Sequence, residues 1–422
     1  MANHTQAAPK TQAIVIGGGP SGGTAATLLA QHGIRTRLLE REPGPRFHIG
    51  ESLMPDTYWT LRRLGVLDKM KAGRCVKKYS VQFVTETGKE SQPFYFFENN
   101  AHESALTWQV VRSEFDQMLL DNAASHGVDV RQGVRAMDVL FDGDKAVGVK
   151  VRDRDGNDEI MECDVVVDAT GQSSLIANKL KLRQSDPFLR KASVWTYFKG
   201  AHRMPGLDEG ATLVLATQQK RGWFWYIPLH DDIVSVGVVS DLDYLLDKSR
   251  GTPEEIFYQE VERCPAVKWR IEQGTRVSGF YSTKDFSYRS RQIAGHGWTL
   301  VGDAFGFLDP IYSSGVFLAL KSGEMAADAI AEGFQKGDLS AAQLGKWEKP
   351  FVQGMDRMKR LVYAFYEGVS FGAFLKKHPH LRRCITDLLI GDVFKDSVDA
   401  IVQPMDEYIA EVRQTRQLAT AV

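Results

Sequence analysis

A short apolar run, Ala13 to Ile16, enters Gly17-Gly18-Gly19-Pro20-Ser21-Gly22, and an Ala/Leu-rich helical pattern follows from Gly23 to His32. Arg35 to Leu39 then reads as a second strand ending at Glu40. This strand–turn–helix–strand unit opens a parallel sheet and constrains the fold more than any other feature of the chain. The spacing Gly17-x-Gly19-x-x-Gly22, with Ser21 in the same turn, lets the backbone bend tightly and approach a pyrophosphate. The helix N-terminus aims its unpaired N–H groups at that negative charge. Glu40, with Arg41 beside it, stands where a carboxylate accepts a ribose hydroxyl. A glycine turn without a ligand is the bland alternative; triplet, strand, helix and carboxylate together favour a bound dinucleotide.

Three later segments choose FAD. Val110-Val111-Arg112-Ser113-Glu114-Phe115-Asp116 resembles the V-R-x-x-F-D segment of group-A flavoproteins, whose arginine sits near the cofactor. Asp168-Ala169-Thr170-Gly171 resembles their second glycine-rich strand end, and Gly302-Asp303 the motif whose aspartate accepts a ribityl hydroxyl. Arg112 alone reads equally well as a surface ion pair with Glu114 or Asp116; the order of the motifs favours the cofactor. No second GxGxxG follows a strand, so reduced flavin is expected from a separate flavin reductase.

Between these motifs the pattern changes. Val76 to Thr85, Gln92 to Phe97, Ser193 to Lys199, Ala211 to Ala216, Trp223 to Pro228 and Ile233 to Val239 have strand character, rich in aromatic and β-branched residues. They predict a mostly antiparallel sheet laid over the cofactor. The fold class expected is α/β: a Rossmann-like FAD-binding domain of the glutathione-reductase type, an inserted β-sheet substrate domain and a helical C-terminal region. Residues 12–75, 106–185 and 290–340 would form the first, 76–105 and 186–289 the second, and 341–422 the third. Gly354, Gly368, Gly372, Pro379 and Gly391 are expected to divide the last into several helices. A net charge of −1 gives no sign of nucleic-acid binding, and no apolar stretch is long enough to span a bilayer. Met1 to Gln12 reads as a loose polar tail. The four cysteines have no metal spacing and the ten histidines no zinc pattern, so no metal site is expected and the cysteines read as reduced thiols of a cytoplasmic protein.

Four places resemble the flavin-dependent halogenases. Phe307, Pro310, Ser313 and Gly315 have the spacing F-x-x-P-x-x-S-x-G. Trp223-Phe224-Trp225-Tyr226-Ile227-Pro228 matches W-x-W-x-I-P, and on a strand Trp223, Trp225 and Ile227 share one face. Two tryptophans filling a core is the plainer reading of that run. Phe47 to Pro55 is like R-F-x-x-G-E-S-L-x-P and places Ser52 beside the flavin ring. Lys77-Lys78-Tyr79-Ser80-Val81-Gln82-Phe83 sets Lys78 at the family's catalytic lysine, with Ser80 where a glycine is usual. Alternation points only one of Lys77 and Lys78 inward; two solvated lysines are the alternative.

The resemblance covers roughly Thr11 to Val393. It implies chlorination or bromination of an electron-rich aromatic by FADH2, oxygen and halide, through hypohalous acid relayed by Lys78. It places halide at the backbone of Ser314 and Gly315, where the Ser313 hydroxyl could cap the helix instead. Trp223, Trp225 and Tyr312 would line the substrate pocket. Tyr312 replaces a glutamate of the tryptophan-specific members, which favours a phenol or pyrrole, free or held by a carrier protein. An aromatic hydroxylase, a geranylgeranyl-reductase-like oxidoreductase and an inactive flavin binder are the rivals. Arg357, Lys359, Arg360, Lys376, Lys377, Arg382 and Arg383, with Asp356 and Glu367 as near counter-charges, could steer an acidic carrier protein or be an ordinary solvated helix face.

Overall fold

The computed structural model describes residues 11–98, 100–284 and 286–420. The tail expected up to Gln12 falls almost wholly outside them. Two sheets position the site. The first runs Ala294–Gly295, Trp298–Leu300, Val165–Asp168, Ala13–Ile16, Thr36–Glu40, Asp129–Gln132, parallel except for its first strand. Ala13–Ile16 and Val165–Asp168 are buried throughout, as parallel strands covered on both faces require. Their carboxyl ends lie together, which is where such sheets bind ligands.

Two helices meet above that edge. Pro20–Gln31 starts with proline, whose missing N–H costs nothing at a first helical position. Ser314–Lys336 packs across it so closely that a Cβ on Gly323 would lie 2.5 Å from the Ser21 carbonyl. Only glycine permits that approach of backbones.

The second sheet has the order Thr275–Arg276, Lys191–Lys199, Ile233–Asp241, Gly222–Pro228, Thr212–Ala216, Ser80–Val84, Phe94–Tyr95, with Tyr281–Lys284 also on Lys191–Lys199. It is antiparallel except where Thr212–Ala216 lies parallel to Ser80–Val84, a pairing that needs a long crossover rather than a hairpin. Alternation splits the tryptophan strand between two cores. Trp223, Trp225 and Ile227 join the large core shared with the first sheet. Phe224 and Tyr226 join a smaller one with Phe257 and Val267, from helices Pro253–Glu262 and Pro265–Ile271.

Some expected elements differ. The run from Val76 to Thr85 is two strands: Val76–Lys78 pairs with Thr107–Gln109, and Ser80–Val84 joins the second sheet. From Gln92 to Phe97 only Phe94–Tyr95 is extended, and a 3-10 turn, Phe96–Glu98, follows. Residues 135–162 hold a three-stranded antiparallel sheet that no sequence expectation covered. In the C-terminal region Gly354 lies inside helix Glu348–Tyr366, where the Phe394 ring would meet a Cβ at 2.5 Å, and Gly372 lies inside Phe371–Lys377. Gly368 and Gly391 do fall between helices, and Pro379 opens a 3-10 turn, Pro379–Leu381, between Phe371–Lys377 and Arg382–Ile390. No helix of the described residues is long and apolar enough to cross a membrane.

Candidate active site

A cavity of about 530 Å³ opens at the carboxyl ends of the parallel strands. Gly17, Gly19, Ser21, Glu40, Arg41, Arg112, Asp303 and Gly315 all line it. At Gly17 the φ is +107°, and a Cβ there would sit 2.3 Å from the Ala169 carbonyl, so a side chain is excluded twice over. Glu40 accepts the Gly18 N–H with one carboxylate oxygen (2.7 Å) and the Glu42 N–H with the other (3.0 Å).

Arg112 is buried rather than a surface group. It donates to Asp116 from Nε (2.8 Å) and Nη2 (2.9 Å), and to the Ile49 carbonyl from Nη1 (2.7 Å). Both readings of the sequence therefore meet in one residue, which pairs with Asp116 and faces the cavity. Asp303 is half-buried beside it, its carboxyl pushed up to about 6 by desolvation and held down in part by the Arg112 charge. Among the described residues no hydrogen bond reaches that carboxylate. His48, also on the wall, is pushed down to about 4 by burial and by Arg112, which keeps its imidazole neutral at pH 7.

The donor set fits FAD. A glycine cradle and two helix N-termini suit a pyrophosphate, with Arg46 and Arg112 as cations, and the unpartnered Asp303 carboxylate suits a hydroxyl donor. Arg46 was not singled out in the sequence. It reaches Glu40 (3.5 Å) and Asp116 (3.4 Å) and lies 3.0 Å from where a Cβ of Gly19 would be. Its place directly before Phe47 was the available signal. Trp195 and Phe307 complete the wall.

Other expected cofactor residues lie behind the cavity rather than on it. A Cβ on Gly22 would stand 1.9 Å from the Gly17 carbonyl, and one on Gly302 would stand 2.7 Å from the Ser21 Oγ. Asp168 accepts the Thr170 and Ile176 N–H groups and the Thr170 hydroxyl, fixing the turn that carries Ala169. Pro310 opens a 3-10 turn, Pro310–Tyr312, whose Ile311 N–H is capped by Asp309.

Ser52 is on another face of its segment. Gly50 touches the cavity, but the Ser52 hydroxyl meets Lys78 Nζ at 2.8 Å. Lys78 is 2 % exposed, whereas Lys77 is exposed. Lys78 also donates to the Leu53 carbonyl (3.0 Å), and its Nζ stands 5.5 Å from the centre of the Phe96 ring. It has no ion pair among the described residues. Burial alone pushes it down to about 7, so half of it is neutral amine near neutral pH. The contacts that define its pocket come from Ser52, Leu53 and Phe96, not from the tryptophan strand.

The F-x-x-P-x-x-S-x-G turn leads into the helix Ser314–Lys336. Ser313 has left-handed backbone (φ +58°) and makes no side-chain cap, so the capping role considered for it is absent. Ser314 is buried and Gly315 is on the cavity wall. The first-turn N–H groups have no partners within the helix.

Trp223, Trp225 and Tyr312 are all buried and away from that wall. Trp223 Nε1 donates to the Tyr366 hydroxyl (3.1 Å), which donates to Asp309 (3.0 Å); Trp225 Nε1 donates to Ser235 (3.1 Å). Tyr312 donates to the Leu361 carbonyl (3.3 Å). Asp309 is pushed up to about 7 by burial.

The C-terminal cations are mostly paired across the fold. Arg357 is buried on Asp399, Lys359 meets Asp186, Arg360 meets Asp406, Lys377 meets Glu411 and Arg383 meets Asp387. Lys376 and Arg382 alone of the seven are exposed without an ion pair among the described residues. The near counter-charges expected, Asp356 and Glu367, serve Arg289, Arg413 and Arg416 instead. Among the described residues no three or more His, Cys, Asp or Glu side chains are placed to hold a metal.

Comparison with known proteins extends this geometry. The FAD binding domain family matches residues 10–334. The chain is 30% identical, over 94% of its length, to the 1H-pyrrole-2-carbonyl-(peptidyl-carrier protein) chlorinase of Pseudomonas fluorescens, covering 93% of it. It is 31% identical, over 90%, to the corresponding brominase of Pseudoalteromonas luteoviolacea, covering 92% of that protein. The solved structure of the flavin-dependent brominase Bmp2 superimposes with a TM-score of 0.86 at 30% identity, over 96% of this chain and 100% of that one.

Proposed function

This chain belongs to the flavin-dependent halogenases, and from its site we propose that it chlorinates or brominates a phenol or pyrrole through hypohalous acid captured by Lys78. The observation that carries the reading is a buried lysine without a counter-ion among the described residues, hydrogen-bonded to Ser52, two residues on from Gly50 of the FAD cavity wall. Bound as FADH2, the cofactor supplies the electrons with which oxygen and halide give hypohalous acid.

The residues do the rest. Gly17, Gly19, Ser21, Glu40, Arg41, Arg46, Arg112 and Asp303 would hold the cofactor. The N–H groups of Ser314 and Gly315 would hold halide at the start of their helix. Neutral Lys78 attacks the halogen of the hypohalous acid: an N–halogen bond forms, the halogen–oxygen bond breaks, and water leaves with the amine proton. The aromatic carbon then takes the halogen, loses its own proton and returns the amine. A captured halogen goes to one carbon, whereas free hypohalous acid diffuses.

A substrate held by a carrier protein is the finer reading, supported by what the two bacterial relatives are named for. Of the seven cations named, docking would rest on Lys376 and Arg382, because the other five are already paired. The test is incubation with a separate flavin reductase, NADH, bromide or chloride, and a panel of phenols, pyrroles and carrier-bound pyrrole-2-carbonyl, read by isotope pattern in mass spectrometry. No halide-dependent product from any member sinks the substrate reading. Rapid reduction of the bound flavin by NADPH without a reductase sinks the need for that partner.

A further inference from the structure

Lys78 ends a chain of buried polar groups whose direction is set at the far end. Gln109 Nε2 donates to the Gly210 carbonyl (3.0 Å) and to Thr212 Oγ1 (2.8 Å), and its Oε1 is buried without a partner. Turning the carboxamide over would set oxygen against the Gly210 carbonyl, so its N–H groups are committed to this side. Thr212 Oγ1, accepting from Gln109, has its own hydrogen to place, and its remaining neighbour is Ser52 Oγ at 2.9 Å. Were Ser52 the donor there, the Thr212 hydrogen would be stranded in a buried site. Thr212 therefore donates to Ser52, and the Ser52 hydrogen is left to face Lys78 Nζ, 2.8 Å away.

We propose that this one-way chain, running from Gln109 through Thr212 and Ser52, presents Ser52 as a donor to Lys78 and holds that side chain as the neutral amine. An ammonium has three N–H groups and no lone pair, so it would turn a hydrogen against the Ser52 hydrogen. The neutral amine accepts from Ser52, gives one N–H to the Leu53 carbonyl and leaves the other beside the Phe96 ring. The Ser52 hydroxyl rotates off the lone pair when the amine reacts. Carboxylates on the neighbouring segments are engaged elsewhere: Glu51 by Tyr197, Asp208 by Ser80 and Tyr95, Glu103 by Lys71 and Tyr58. Lys77, on the same strand, is exposed. Ser52 and Thr212 are thus positioning residues that act through Lys78.

The inference deepens the reading of Lys78 as the halogen carrier, and its test does not depend on that reading. The lysine ¹³Cε resonance of the FAD-loaded protein, assigned by its loss in Lys78→Arg, is titrated in the parent, Thr212→Val and Gln109→Leu. Each substitution frees Ser52 to turn and accept from an ammonium, so the Lys78 titration should move up by about 0.5 or more in pH. Two variants guard against one that fails to fold. A titration that stays or falls in the variants that fold overturns the chain's direction. If it rises and the acidic limb of halogenation does not follow, the hydrogen-bond assignment stands and Lys78 is not the halogen carrier.

Discussion

The FAD cavity and the Lys78 pocket are joined by Gly50-Glu51-Ser52 and treat charge in opposite ways. On the cavity side the two inner cations have anions: Arg112 on Asp116, and Arg46 between Glu40 and Asp116. On the other side one buried lysine has none among the described residues, and its partners are a hydroxyl and a carbonyl. Paired charges keep full ionisation in a buried wall and suit a ligand that carries pyrophosphate. A lone buried amine sheds its proton instead. One region is built to hold charge and the other to lose it. The segment between them repeats the contrast. Glu51 accepts the Tyr197 hydroxyl (2.7 Å) and is pushed up to about 7 by burial.

The largest expected effect separates the two regions outright. Lys78→Ala removes the halogen carrier and none of the groups on the FAD wall. Halogenated product should fall about a thousandfold or more, while FAD binding and FADH2 oxidation persist. Lys77→Ala, on the exposed face, should change product by less than about twofold. Both variants are assayed side by side for FADH2 oxidation and product. A Lys78→Ala enzyme that halogenates near the parent rate ends the assignment of this strand.

Arg112→Gln should break the other region. It leaves the buried Asp116 with a weaker partner and takes a cation from the cavity. Removing one member of a buried pair costs about 3–5 kcal/mol. Thermal melting and FAD titration should show lower stability and FAD affinity weaker by about tenfold or more. A variant with parental affinity would mean that the arginine serves only Asp116.

These two sites were unequally legible in the sequence. The glycine turn was legible because its chemistry is local: φ, close approach and helix start are all fixed within six residues, Gly17 to Gly22. Strand alternation allowed only one of Lys77 and Lys78 to turn inward, and the family resemblance chose Lys78. Its partners did not, because Ser52 and Thr212 come from segments 26 and 134 positions away, and nothing local announces either. Ser52 was read as a flavin residue because its motif runs beside the flavin; the structure turns its hydroxyl the other way. The break after Lys78 was hidden because the run continues in β-favouring residues on both sides of Tyr79. The C-terminal cations looked free for the same reason: their carboxylates at Asp186, Asp399, Asp406 and Glu411 are remote in sequence.

Titration should sharpen the contrast next. With Lys78 near 7, halogenation should fall about tenfold for each pH unit well below 7, as the amine becomes an ammonium without a lone pair. FADH2 oxidation in the same samples controls for the flavin half. Stability should change in the same direction as activity, but over a higher range of pH. The folded lysine titrates below its unfolded value, so between about 7 and 10.5 the unfolded chain binds more protons and stability rises with pH. Below 7 the cost of burying the ammonium is felt in full. Lys78→Met should therefore stabilise the protein, most clearly at pH 6 and least above pH 10. Equal melting gains at pH 6 and pH 10 would mean packing, not charge, sets the difference.

The smallest effect tests the tie between the tryptophan strand and the turn before Gly315, which belong to neither region but pack between them and the C-terminal helices. Tyr366 belongs to no motif, yet its hydroxyl takes the Trp223 N–H and gives its own hydrogen to Asp309. One side chain thus ties the tryptophan strand to the turn that carries Gly315. Lys191 stands 4.1 Å over the same ring and pairs with Asp241. Tyr366→Phe keeps the ring and that cation contact and removes the hydroxyl alone. It strands the Trp223 N–H and leaves Asp309 with only the Ile311 N–H, which should favour the protonated acid further. FAD affinity should hold, since none of these groups is on the cavity wall. Coupling should not: the halogenated product formed per FADH2 oxidised should drop about two- to fivefold, on the scale of one lost hydrogen bond. Comparing the product-to-oxidation ratio with the FAD dissociation constant distinguishes this from general loosening. If both fall together, Tyr366 is a packing residue; if only the ratio falls, the spacing between strand and turn governs how much hypohalous acid reaches Lys78.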